Sequence, residues 1–201
     1  MNIISNNCVA AYIYKELLKE EYPHPFMWCY IYGKDFLYLI ENYSSINFND
    51  FELSNEGNVL SNNFYIKVGN VKLRYLHYYF DKNYKIPTLT GYNKTDVRYN
   101  KIWEYIVEKY TNRLKRFNQN EQPFIIWYDP HNKFNKELKQ LPKICEKLCY
   151  KCMIFSNEKI VLNNFCKQYP VKDKWVNEPG GWHDSFFKNY KDIILNELKS
   201  S

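Results

Sequence analysis

The sequence predicts an α/β fold: a mainly parallel sheet with helices on both faces and one β-hairpin. Three observations carry that expectation. Short apolar runs, Ile3-Ile4-Ser5, Phe124-Ile125-Ile126-Trp127-Tyr128 and Met153-Ile154-Phe155, have the length and composition of buried strands. Segments of helical period lie between them, which is the alternation that produces parallel sheets. One Gly-Asn pair, Gly69-Asn70, separates two runs of alternating character. With 201 residues, 45% of them hydrophobic, and no long Pro/Gly/Ser linker, the chain reads as a single α/β domain over 1–201.

The elements follow in order. Residues 10–19 read as a helix, with Ala11, Tyr14, Leu17 and Leu18 on one face, and Asn6-Asn7-Cys8 is the turn that feeds it. Pro23-His24-Pro25 breaks the pattern, 26–32 is a further apolar segment, and 34–43 is a helix with Phe36, Leu37, Leu39 and Ile40 inward. Residues 44–63 are polar and Asn-rich and receive no element. Strands at 64–68 and 71–77 flank the Gly-Asn turn, which puts His77 at a strand end. A loop covers 81–95, and a long helix follows at 97–117, its inward face marked by Ile102, Ile106, Tyr110 and Leu114. Residues 135–151 read as one basic helix, 159–165 are assigned to nothing, and a last helix follows His183.

The charge balance excludes some function classes. The net charge of +6, from 28 basic and 22 acidic residues, is mild and dispersed. It suits an anionic small molecule, and no nucleic-acid module accompanies it, so no nucleic-acid partner is expected. No window approaches the ~20 apolar residues of a membrane span, so no transmembrane segment is expected, with peripheral membrane contact left open. The N-terminus has neither a basic leader nor an apolar signal run, so a cytoplasmic chain with reduced thiols is expected.

A strand that ends in a polar turn and enters a helix puts the turn residue at the carboxyl edge of the sheet, where open α/β folds bind ligands. Cys8 occupies that place, in what reads as a semi-exposed turn. The free N–H groups of a helix start favour a thiolate there and suit a developing oxyanion. Asn6 and Asn7 of the same turn, together with Trp28, are assigned to substrate contact. A thiol nucleophile needs a base, and His77, at a strand end, is the choice among His24, His77, His131 and His183. His183, after Gly180-Gly181-Trp182, is second. Asp81, four residues after His77, or Asp129 at the next strand end, is placed to orient the imidazole.

Ile4-Ser5-Asn6-Asn7-Cys8, Pro25-Phe26, Lys34-Asp35-Phe36-Leu37, Leu76-His77-Tyr78, Trp103, Arg113-Leu114-Lys115-Arg116-Phe117 and Asp129 occur in an order that resembles a family of uncharacterised exopolysaccharide biosynthesis proteins. That family looks related to the WcbI-type capsule acetyltransferases and to papain-like cysteine peptidases. The resemblance spans residues 3–130. It implies a Cys8 nucleophile, a His77 base in a papain-like arrangement, and transfer of an acyl group to a surface-polysaccharide sugar. Acyl-coenzyme A is then a donor substrate rather than a tightly bound cofactor. Arg113 and Arg116, three apart on the long helix, with Lys115, are assigned to the donor's phosphates. The alternatives are a cysteine-dependent amide or ester hydrolase and a non-catalytic carbohydrate-binding module that uses tryptophans as stacking platforms.

Cys145, Cys149 and Cys152 have the Cys-x3-Cys-x2-Cys spacing of iron–sulfur enzymes that use S-adenosylmethionine. Leu138, Leu141, Cys145, Leu148 and Cys152 recur at helical steps, however, so these cysteines read as core packing and no metal is assigned, a zinc site completed by Cys166 being the alternative.

Overall fold

The computed structural model describes residues 1–55, 64–75, 97–171 and 181–200. Strand β1 (Asn2–Ser5) is buried along its whole length, as its Ile-Ile core demands. It runs parallel to β6 (Pro123–Tyr128), with Ile3 opposite Phe124 and Ile4 opposite Ile125. Strands β7 (Cys152–Phe155) and β8 (Cys166–Tyr169) continue the sheet in the order β1-β6-β7-β8, all parallel. The expected parallel sheet is present. Residues 156–165 join β7 to β8 as a loop, without the helix usual for a parallel crossover.

Helices cover both faces of this sheet. Side chains alternate along a strand, and Tyr128, Phe155 and Tyr169 take one face. There they meet Phe186 and Tyr190 of α6 (Gly181–Lys199), with the Phe155 and Phe186 ring centroids 4.7 Å apart. In α6, Phe186, Tyr190 and Ile194 recur every four residues and are all buried. Cys152 and Ile154 take the opposite face, where α5 (Leu141–Leu148) brings Cys145 beside Cys152 and Cys166. Helix α1 (Val9–Tyr12) packs on β1 and β6 and passes into a π-helical stretch, Ile13–Leu18, that ends at Lys19 in the left-handed conformation. Within that stretch the Tyr14 hydroxyl donates to the Met1 carbonyl and accepts the Ile3 N–H, tying the helix to edge strand β1.

The hairpin does not join this sheet. The chain divides into two compact units: residues 1–22 with 119–201, and Pro23–Asn118 inserted between them in the chain. The second unit holds its own antiparallel sheet in the order β2-β5-β4-β3, formed by β2 (Cys29–Tyr30), β3 (Phe51–Asn55), β4 (Phe64–Val68) and β5 (Val71–Tyr75). Gly69, at φ 55°, makes the expected tight turn between β4 and β5. Helix α2 (Gly33–Glu41) packs on β5, and its buried Asp35 accepts the Lys72 N–H at 3.2 Å. Helix α3 (Val97–Leu114) sends Tyr110 to the Phe48 carbonyl at 2.7 Å. Phe26, Phe48 and Phe117 cluster in the same unit, with His24 and Tyr43 at the edges of the group.

Other readings are corrected. The basic helix expected at 135–151 is interrupted: α4 (Asn135–Leu138) stops, α5 follows with Pro142 in its first turn, and Cys149 ends it in the left-handed conformation at φ 56°. Proline is tolerated at a helix start and disfavoured inside one, so a break before Pro142 is the unstrained solution. The expected helix at 97–117 ends at Leu114. Strand β3 lies in the segment left without an element, and β8 was unannounced by any apolar run.

Burial pushes the hydroxyls of Tyr14, Tyr110 and Tyr128 above the ordinary phenol range, with the Ile3 N–H opposing it at Tyr14 and Cys29 adding to it at Tyr110. In the unfolded chain these phenols ionise near pH ~10. Above that pH the unfolded state therefore holds fewer protons than the folded one, and stability falls as pH rises. Stability contributed by these groups is intact below about pH 9 and lost beyond about pH 10, with a slope of up to ~1.4 kcal/mol per pH unit for each tyrosine. Denaturant unfolding across pH 8–12 measures this, and Tyr110→Phe is expected to flatten the alkaline fall; an unchanged slope refutes the assignment.

Candidate functional site

The carboxyl edge of the parallel sheet is built around the turn after β1. Asn6 is 1% exposed and extends the strand pairing with its side chain: its Oδ1 accepts the Tyr128 N–H at 2.9 Å and its Nδ2 donates to the Tyr128 carbonyl at 3.2 Å. Asn7 Nδ2 reaches the same carbonyl at 3.3 Å. Asn7 Oδ1 accepts the Val9 N–H and Ser5 Oγ accepts the Ala10 N–H, each at 3.0 Å. Three short polar side chains thus hold Cys8 at the N-cap of α1, directly after a strand end.

This placement agrees with the expected position of Cys8 and revises its surroundings. Cys8 is 5% exposed, so its thiol is buried, while Asn7 of the same turn is half-buried. Of the N–H groups at the helix start, those of Val9 and Ala10 are already bonded by Asn7 and Ser5. Both ends of the Asn6 amide are engaged with Tyr128, so Asn6 serves the turn. Asp129 accepts the N–H groups of Lys133 and Phe134 at 3.0 and 2.8 Å and orders the loop after β6. At the neighbouring strand ends Ser156 donates to Asn132, and Asn157 Oδ1 accepts the Val171 N–H at 2.9 Å.

His77 and Asp81 lie outside the described residues. His183 falls in the first turn of α6, with its side chain outside them. His24 is fully buried among aromatic rings, its centroid 5.1 Å from that of Phe26, and His131 is exposed.

The arginine pair expected on one helix face is separated by the end of α3. Arg113 is 8% exposed, and its NH1 donates to the Met27 carbonyl at 2.7 Å. Arg116 and Lys115 follow the helix and are exposed, with Lys115 Nζ 3.4 Å from Asn112 Oδ1. The Met27 carbonyl also accepts the Cys29 thiol at 3.5 Å, so two donors pin the peptide next to Trp28. Trp28 is held at φ 61°, a left-handed conformation costly for a bulky side chain. Arg113 therefore secures a strained turn that presents a half-buried Trp28.

A second cluster stands at the amino edge of the same parallel sheet. The sulfur atoms of Cys145, Cys152 and Cys166 all lie within 4.8 Å of one another, and all three residues are buried. Hydrogen bonds from Cys145 and Cys152 pull the Cys166 thiol down to about 4. Burial, followed by its two sulfur neighbours, pushes Cys152 well up. At Cys145 the Cys152 contact acts downward and is outweighed by Cys166 and burial, which push the thiol up. Cys149, grouped with these by spacing, is exposed at the end of α5. Cys166, the residue that the sequence offered to complete a zinc site with these cysteines, is the one that joins Cys145 and Cys152, while Cys149 does not.

Three substitutions test these roles by denaturant unfolding. Asn6→Ala leaves the buried Tyr128 N–H unpaired and is expected to cost about 2–3 kcal/mol. Arg113→Ala is expected to cost about 2–3 kcal/mol against less than about 0.5 kcal/mol for Arg116→Ala; equal effects would contradict the placement of the two arginines. The chain matches no protein-family model and no curated protein sequence.

Proposed function

We propose that this protein is a cysteine-dependent acyltransferase that modifies a sugar of a surface polysaccharide, with Cys8 as its nucleophile. The observation that carries the reading is the position of Cys8 at the carboxyl end of β1, in a turn held by Ser5, Asn6 and Asn7. Fixing a nucleophile by packing and hydrogen bonds before substrate arrives is what covalent catalysis requires of a scaffold. The acyl and saccharide specificity rests on the resemblance to exopolysaccharide biosynthesis proteins.

In the proposed reaction His77 takes the thiol proton as Cys8 Sγ attacks the acyl carbonyl of a donor such as acyl-coenzyme A. The tetrahedral intermediate collapses to a Cys8 thioester, and the departing donor thiolate takes the proton back from His77. A sugar hydroxyl then attacks the thioester, giving its proton to His77, and the Cys8 sulfur leaves and is reprotonated. Asp81 orients the imidazole. Among the basic residues assigned to the donor, Lys115 and Arg116 are the exposed pair. Trp28, half-buried and held in its strained turn, is the stacking surface for the sugar.

The assay is release of free thiol from acetyl-coenzyme A in the presence of nucleotide-linked or polymeric sugars. Cys8→Ser and Cys8→Ala are expected to abolish turnover; because the site is buried, each also costs about 1 kcal/mol of stability, which circular dichroism separates from loss of chemistry. His77→Ala is expected to lower the rate by about 10²–10⁴-fold. Alkylation gives an independent check. Cys149 is the exposed thiol, so in a Cys149→Ser background Cys8 is expected to be modified fastest. Full activity in Cys8→Ala removes the nucleophile, and turnover with water alone as acceptor makes the enzyme a hydrolase.

A further inference from the structure

Five of the chain's six cysteines are buried, and three of these converge from separate elements. Cys145 comes from α5, Cys152 is the first residue of β7, and Cys166 is the first residue of β8. The sheet brings two of them together: Cys152 and Cys166 are register partners in the parallel pair, so their side chains leave the sheet on one face. The helix brings the third. The α5 cap turn, in which the Tyr150 N–H bonds the Cys145 carbonyl at 2.9 Å, returns the chain to start β7 directly under Cys145. Asn163, donating to the Pro142 carbonyl at 2.7 Å, ties the loop before β8 to the start of α5. As ordinary small apolar residues, these cysteines need only be buried; nothing in core packing calls for three sulfurs to share one point.

We propose that Cys145, Cys152 and Cys166 bind a single soft metal ion, copper(I), in an all-sulfur, three-coordinate site. Three features select that ion. The donors are three sulfurs, and among the described residues no histidine or carboxylate joins the group; soft thiolate sets favour copper(I), zinc and iron–sulfur clusters. Zinc takes four ligands in such sites, and the residues are 0%, 2% and 3% exposed, which leaves no approach for water as a fourth. Iron–sulfur clusters also take four cysteines. Copper(I) accepts three. Metal–sulfur bonds of about 2.3 Å put the sulfurs of a trigonal set about 4 Å apart, so a cluster already within 4.8 Å closes on the ion with side-chain adjustments of less than an ångström. Copper(I) replaces S–H protons, which leave to solvent, and neither copper nor sulfur changes oxidation state.

The site lies at the amino edge of the strands, opposite the edge that carries Cys8, and it joins helix α5 to two strands whose connecting loop has no helix of its own. Bound metal there acts as a cross-link in the folded state, coupling metal affinity to stability.

The test is titration of the full, reduced, anaerobic chain with copper(I) in competition with a chromophoric copper(I) chelator. One equivalent per chain is expected, with three sulfur neighbours by X-ray absorption and a raised melting temperature. Cys145→Ser, Cys152→Ser and Cys166→Ser are each expected to weaken binding by more than the about 10–100-fold typical of losing a group that only orients a ligand. Cys149→Ser and Cys8→Ser are expected to bind as the unaltered chain does. Circular dichroism of the metal-free variants identifies any that fail to fold, and X-ray absorption on the unaltered chain gives the answer without them. Absence of stoichiometric copper(I) binding, binding that survives loss of the three cysteines, or a nitrogen or oxygen atom in the metal's coordination sphere overturns the proposal.

Discussion

The pairing of β1 with β6 is the constraint on which the rest depends. It joins residues 2–5 to 123–126, and everything in the second unit lies between them in the chain. Closing so long a loop costs entropy, though only slowly more as the loop lengthens, and four residues of parallel ladder are a small return by themselves. The side chains beyond the ladder add to it. Asn6 repeats the strand's pairing with both ends of its amide, and the Tyr14 hydroxyl bonds β1 at the Ile3 N–H. The turn holding Cys8 is thus the end of the contact that closes the first unit. A side chain placed there inherits the rigidity of the fold.

One sheet carries cysteines of opposite character at its two edges. At the carboxyl edge Cys8 lies beside a network of Asn, Ser and Asp side chains that satisfies the backbone where the strands stop. At the amino edge three sulfurs meet in a buried space with one another for neighbours. Parallel strands explain the asymmetry. All of them begin at one edge and finish at the other, so residues at strand starts gather together and residues at strand ends gather together, however far apart they lie in the chain.

Much of the first unit is legible from local signals. Ile3-Ile4, Phe124 to Tyr128 and Met153 to Phe155 are continuous apolar runs, and all three are fully buried strands. Gly69-Asn70 marks the hairpin for a conformational reason, since glycine adopts φ 55° without penalty. The segments that were misread lacked such signals. Strand β8, Cys-Lys-Gln-Tyr, has one buried residue because it is an edge, and β3 is a polar edge of the other sheet. The apolar spacing over 135–151 continues across the break, because Leu138 of α4 and Leu141 and Cys145 of α5 are all buried.

Sequence alone determined the elements whose burial is continuous, the strand-to-helix turn at Cys8, and the polar residues Ser5, Asn6 and Asn7 available to cap it. These follow from side-chain period and from short-range hydrogen bonding, which act within a few residues. Tertiary structure alone decided that the hairpin builds a separate antiparallel sheet, that Asn6 pairs with Tyr128, that Arg113 turns inward to the Met27 carbonyl, and that Cys166 joins Cys145 and Cys152. Each of those contacts joins residues distant in the chain, and strand register and helix packing, rather than local spacing, select which distant residues meet.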